Sequence, residues 1–295
     1  MTATMFFEQL LSGLTRGGIL FLLASGLTLI FGVLRVVNFA HASFATLGAF
    51  LTFTVVNNFF GSNPSLNFWA ALLIVPICIA AVGFVVERVA LRLVYAEDHS
   101  YQMLVSFAFI LIFLDAIQMI WGKRTRHVFK PPILDGHISL GIASIPAYNI
   151  FIILLSIVVG ILLWWILYKT KIGNMIRASV SDRETANALG INVPRLYTVV
   201  FMGGTALAGL AGVALAAQGS IVPGMDMQLI LQCFIVVVIG GLGNLLGCVL
   251  GALVIGEVYS FGILILPGLA LAFIFIVMVL VMIVRPQGLL GRRLE

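Results

Sequence analysis

The 295 residues include only 16 Lys+Arg and 11 Asp+Glu, 9% of the chain, against 62% hydrophobic residues. Soluble domains carry roughly 25% charged and about 45–50% apolar residues, so this chain cannot clothe a water-facing surface with polar groups. A water-soluble enzyme, a nucleic-acid-binding domain and a disordered scaffold are excluded. The solvent is a bilayer, and at ~20 residues per membrane helix the whole length reads as one transmembrane domain, residues 1–295.

In chain order, residues 1–12 hold one charge, Glu8, and the apolar run continues through Phe31. A secretory signal needs a basic start, a short apolar core and a small-residue cleavage site, so this is read as a retained first helix. Apolar segments follow at 9–33, 40–56, 67–94, 101–121, 147–168, 197–218, 226–241, 244–262 and 264–284. They predict an all-α polytopic membrane protein with about eight or nine crossings, two of its segments (40–56 and 226–241) being short. Cys78, Cys233 and Cys248 all lie in apolar stretches without metal-ligand spacing and read as small buried side chains.

Two stretches interrupt the apolar pattern. In GLTLIFGVLRVVNFAHASFATLGAF (26–50), a membrane helix runs into Arg35, Asn38, His41 and Ser43 before apolar sequence resumes. In IVVVIGGLGNLLGCVLGALVIG (235–256), Gly240, Gly241 and Gly243 break the run beside Asn244. Irregular backbone inside a membrane survives only where it is buried in protein or lines a wet cavity. Interrupted short segments in the two halves of a chain point to the transport site of repeat-built transporters. The candidate translocation path is therefore Asn38, His41, Ser43, Gly241, Gly243 and Asn244. Asn38 and Asn244 are also expected to cap the helix ends that the breaks expose. Asp115, Gln118, Gln218, Asp226 and Glu257 lie in or beside spans. Small-residue stripes, Gly243-Gly247-Gly251 and Gly204-Ala208-Gly212-Ala216, predict close helix approach at the bundle centre or against a partner.

The loops give the sidedness. Segment 122–146 is the only sizeable loop on its side; Pro131-Pro132 forbids helix there and Asp135-Gly136 resembles a hairpin turn. It carries Lys123, Arg124, Arg126 and Lys130. Across the membrane, the regions around Arg88 and Arg92, loop 169–196 and the C-terminal tail carry ten basic residues, which places them in the cytoplasm. In loop 169–196, Ser181-Asp-Arg-Glu184 has the form of a capping box, Gly190 that of a C-terminal stop, and Pro194 ends the segment. A short helix is expected near 182–189, with Ala186, Ala188 and Leu189 on a small apolar face and Asp182, Arg183 and Glu184 bearing its charge. Such a helix is marginal alone and needs a docking surface.

The stretch GNMIRASVSDRETANALGINVPRLY resembles the coupling loop of permeases in branched-chain amino-acid ABC importers. The resemblance extends to GLTLIFGVLRVVNFAHASFATLGAF, VVVIGGLGNLLGCVLGALVIGEV and RPQGLLG in the same order, and it is to the LivH-type subunit, the shorter of two paired permeases. One departure is Ala42-Ser43, where the family commonly has Gly followed by a small or acidic residue. The resemblance implies a complex in the bacterial inner membrane of two permeases, two cytoplasmic ATPases and a soluble binding protein outside. This chain would bind no cofactor of its own, ATP being hydrolysed by the partner subunits. It also implies that Ser181, Asp182, Arg183, Glu184, Ala186, Leu189 and Gly190 receive the ATPase stroke. Branched-chain amino acids are the family's usual cargo; related permeases serve urea, amides or small organic acids.

The chain carries no Walker, H-E-x-x-H or G-x-S-x-G motif, so it is not expected to be an enzyme. A self-sufficient secondary transporter or channel is the competing reading. That reading calls for a paired, deeply buried ionisable group, for which Asp115 and Glu257 are the candidates.

Overall fold

The computed structural model describes residues 3–58, 64–95, 97–139 and 144–291. Each of the nine apolar segments is a helix: α1 (Ala3–Leu34), α2 (His41–Asn58), α3 (Pro64–Val89), α4 (His99–Trp121), α5 (Ala147–Lys169), α8 (Val193–Gln218), α9 (Asp226–Gly240), α10 (Leu245–Ile265) and α11 (Ala270–Val284). Two further helices, α6 (Lys171–Ser181) and α7 (Arg183–Ala188), form the polar loop between α5 and α8. Among the described residues seven helices are long and apolar enough to cross a membrane: α1, α3, α4, α5, α8, α10, and α11 with its leading 3-10 turn. α2 and α9 are shorter, 18 and 15 residues.

The full-length helices run between two ends of the bundle. One end carries α6–α7, Arg88, Arg92 and the segment after α11; we call it the loop end. The other carries residues 122–146 and is the hairpin end. There β2 (His137–Ser139) pairs antiparallel with β3 (Ser144–Pro146), and β1 (Arg126–His127) pairs with β4 (Ser220–Ile221). Asp135-Gly136 is not the hairpin turn. It follows a single 3-10 turn, Pro132–Leu134, that the Pro131-Pro132 pair starts rather than prevents, because proline suits a first helical position. The turn between β2 and β3 lies outside the described residues.

α1 is the central helix. In its most apolar window 83% of residues are buried, against 11% in that of α11. It packs on α8, α10, α5 and α9. The small-residue stripes serve this centre. A Cβ on Gly212 of α8 would fall on the Ala45 carbonyl of α2 and 2.8 Å from the Ala49 amide. A Cβ on Gly48 of α2 would lie 3.0 Å from Gly209 Cα of α8. These approaches are backbone to backbone, as packing-driven association in lipid requires.

α2 and α9 are half-helices that begin inside the membrane. The His41 ring at the start of α2 meets the Leu23 carbonyl of α1 at 3.0 Å. Leu23 lies eleven residues before the loop-end terminus Leu34, about 16 Å at 1.5 Å per residue, so α2 starts well inside the bundle. From there α2 runs to the hairpin end, where Trp121 donates to Thr54 Oγ1 and Asn67 to the Val56 carbonyl. α9 begins beside the middle of α4, since Met227 and Ile110 line one cleft, and runs to the loop end. Residues 219–225 thus descend from the hairpin end into the membrane, where a hydropathy profile shows only a short loop.

Candidate functional site

The two half-helices meet at their N-termini. Ser43 Oγ in the first turn of α2 donates to Asp226 Oδ2, the first residue of α9, at 2.5 Å. Both residues are buried. The link to α2 is shaped by Asn38, whose Oδ1 accepts from the Ala40 amide at 3.1 Å and whose carbonyl accepts from the His41 amide. Asn38 therefore closes a turn that begins three residues before the first helical residue, His41, and its side chain does not take an amide of α2 itself. His41 is fully buried; its Nε2 donates to the Leu23 carbonyl, and a Cβ on Gly26 would press on the ring. Phe39 donates its amide to Ser106 Oγ of α4 at 3.3 Å and stacks on Phe234 of α9. Asn38, His41 and Ser43 thus stand together around the start of α2, with Asp226 added to them.

Gly241, Gly243 and Asn244 stand elsewhere. They form the turn between α9 and α10 at the loop end, both glycines with positive φ. Asn244 caps α10 through Oδ1, which accepts from the Gly247 amide at 3.1 Å. Its Nδ2 donates to the Leu290 carbonyl at 2.7 Å, while the Leu289 amide donates to the Ile239 carbonyl. The RPQGLLG tail closes this turn, and Gly243 lies against Gly32 of α1. In this half of the chain the break that reaches into the bundle is 219–225, not 240–244. The glycine run is an end turn because α9 has already completed its descent.

At the loop end, α7 spans Arg183–Ala188, close to the expected 182–189, with a different cap. Ser181 is the last residue of α6, so Asp182 takes the N-cap. Its Oδ1 accepts from the Glu184 and Thr185 amides at 2.9 and 3.1 Å. Bonds from the Thr185 hydroxyl first, and then these amides, hold the Asp182 carboxyl below the ordinary carboxylate range. Gly190 ends the turn in the left-handed region, φ +87°. Pro194 lies in the first turn of α8, behind the Asn192 cap, rather than ending a segment.

The expected apolar face of α7 divides. Ala186 is buried among Val33 of α1, Ile176 of α6, and Val193, Leu196, Tyr197 and Val200 of α8. Ala188 and Leu189 face outward, Leu189 with 76% of its surface exposed, beside exposed Arg183 and Glu184. The Arg183 guanidinium also lies 5.4 Å from the Tyr197 ring. Behind α7 a pocket of about 170 Å3 is lined by Glu87, Arg92, Tyr95, Arg183, Pro194 and Tyr197. Glu87, which reads in the sequence as part of a basic helix end, is fully buried. It accepts from Thr198 of α8 at 3.0 Å and from Tyr95 at 3.3 Å. Burial, and next the Glu87 carboxylate, push the Tyr95 phenol upward.

Asp115 and Glu257, the acids a self-powered transporter would pair, have separate settings. Asp115 is exposed on α4, and Glu257 of α10 is wedged against Gly13 of α1. Arg16, inside the first span, donates to Gln232 of α9 at 3.0 Å and stacks 4.0 Å from the Tyr259 ring. Neither Arg16 nor Glu87 was marked by a motif.

A membrane-length helical bundle whose middle is entered by two half-helices defines a polytopic transport protein. The chain belongs to the branched-chain amino acid transport system permease component family, whose model matches residues 9–282. It is similar to the high-affinity branched-chain amino acid transport permease BraD of Pseudomonas aeruginosa, 27% identical over 97% of this chain and 96% of that protein. LivH of Escherichia coli is 27% identical at the same coverage. LivM of Escherichia coli is 26% identical over 91% of this chain and 67% of LivM. Likeness to both LivH and LivM, two permease proteins named for one kind of transport system, implies a second permease subunit. No solved structure matches significantly.

Proposed function

We propose that this chain is a permease subunit of an ATP-driven importer that carries branched-chain or related hydrophobic amino acids across the bacterial inner membrane. The observation that carries this reading is the meeting of α2 and α9 at Ser43–Asp226, in the middle of the membrane. Two helix N-termini offer partial positive charge there and Asp226 offers a carboxyl, so both signs needed by a zwitterion stand at one depth. The names of the relatives supply the amino-acid class. Asn38, His41, Ser43 and Asp226 are the residues assigned to the path.

The loop end is assigned to the cytoplasm. Among the described residues it carries Arg88, Arg92, Lys169, Lys171, Arg177, Arg183, Arg195 and Arg285, against Lys123, Arg124, Arg126 and Lys130 at the hairpin end. In this reading ATP is hydrolysed by two separate cytoplasmic subunits that grip the outward side of α7 through Arg183, Glu184 and Leu189. A soluble binding protein delivers solute to the hairpin end. Ala186 transmits the stroke: it ties α7 to the end of α1 and to α8, and α8 is packed backbone to backbone on α2. The half-helices then exchange between two arrangements biased by nucleotide.

Replacing residues 181–190 by a flexible Gly-Ser linker is expected to cut uptake by at least tenfold and to abolish solute-stimulated ATPase, while the permease still inserts. Leu189→Asp should do the same without disturbing Ala186. Unchanged uptake and stimulation in the linker variant of the assembled importer would overturn the ATP-driven reading.

A further inference from the structure

We infer that the face built by α4 and α9 is the surface on which the second permease subunit packs, and that this subunit is a different chain that brings a basic side chain to Asp115. The inference rests on the two-permease reading above. Asp115 lies six residues before the end of α4, about 9 Å into the helix, and is exposed. Gln228, in the first turn of α9, is exposed, next to exposed Met227 and one turn before exposed Leu231. Between the two helices lies an apolar cleft of about 490 Å3, lined by Met103, Phe107, Ile110, Met227, Ile230 and Leu231 among others.

The other outward faces differ. α3 exposes Leu73 and Ile77, α5 exposes Leu154, Ile157 and Ile161, and α11 exposes Ile276, Val279 and Leu280. Between their terminal turns none of these three helices carries a charged residue. They suit lipid. A carboxylate and a carboxamide directed outward from the α4–α9 face do not, because ionisable groups within a membrane face protein or water.

Charge selects the occupant. Neither α4 nor α9 contains Lys or Arg, so a second copy of this chain, set face to face, would answer Asp115 with another acid and no cation. A homologous but non-identical permease can supply the counter-charge and a helix ridge for the cleft. The pairing would close the open side of α9 two residues from Asp226 and so make the translocation path a property of both subunits.

The test uses the assembled importer in native membranes with a photo-crosslinking amino acid at Leu104, Met227, Ile157 or Val279. Adducts to the second permease are expected from Leu104 and Met227 and not from Ile157 or Val279. In parallel, Asp115→Leu should lower co-purification of the second permease at least tenfold at a normal level of inserted chain, whereas Asp115→Asn retains it. Permease adducts confined to Ile157 or Val279, adducts only between copies of this chain, or full assembly with Asp115→Leu would overturn the assignment. Absence of any second permease from the wild-type complex would instead overturn the two-permease reading itself.

Discussion

Gly212→Val is expected to abolish uptake, whereas Gly203→Ala, nine residues earlier on α8, leaves it unchanged or raises stability. At Gly212 the new Cβ would meet the Ala45 carbonyl and the Ala49 amide of α2, with the Gly48 carbonyl carbon at 3.1 Å. All three are backbone atoms, so no rotamer change relieves the overlap and α2 must move off α8. Overpacking of a rigid core costs roughly 1–3 kcal/mol and more where backbone is displaced, and here the displaced element carries Ser43. At Gly203 the nearest atom to a Cβ is Leu29 Cδ2 at 3.8 Å. Alanine there only gains helix propensity, worth about 1 kcal/mol. Uptake, together with thermal stability of the purified complex, separates the two outcomes. Transport-competent Gly212→Val protein would mean that α2 and α8 do not hold this approach.

Asp226→Ala should be the most damaging single change on the path, with uptake reduced tenfold or more and complex assembly retained. The substitution leaves the buried Ser43 hydroxyl without its acceptor, at a cost of about 1–3 kcal/mol. It also removes the Ser43–Asp226 bond that joins the starts of the two half-helices. Asp226→Asn keeps an acceptor for Ser43 and removes the charge, so its uptake should lie between Asp226→Ala and the wild type. Equal uptake by all three proteins would show that the meeting of α2 and α9 is not on the solute's route.

Much of this arrangement is legible in the residues. Membrane helices announce themselves by length and hydropathy, and every apolar segment is a helix, with ends up to six residues from the expected bounds. The Asn38–Ser43 break is visible because polar residues interrupt apolar sequence. Depth is what the sequence does not display. QGSIVPGMD looks like any connector, yet residues 219–225 carry the chain into the middle of the membrane; the glycine-rich run at 240–244, which looks like the deeper break, is an end turn closed by the C-terminal tail. The capping motif at the loop end is displaced by one residue for a local reason. α6 is an amphipathic helix in a polar loop, it absorbs Ser181, and the capping passes to Asp182. Glu87 and Arg16 were invisible because their partners, Thr198 and Gln232, are more than a hundred residues away. Long-range pairing of that kind leaves no local spacing to read.

The meeting point of the half-helices is either the gated path or a structural joint. The direct measurement is thiol accessibility of Ser43→Cys in the assembled importer, with Cys78, Cys233 and Cys248 replaced by alanine, using a membrane-impermeant maleimide added from either side. Labelling should switch from one side to the other when the ATPases are trapped with nucleotide, and solute should protect it. Labelling that is absent or identical from both sides in every nucleotide state, in a complex that still transports, would contradict the account.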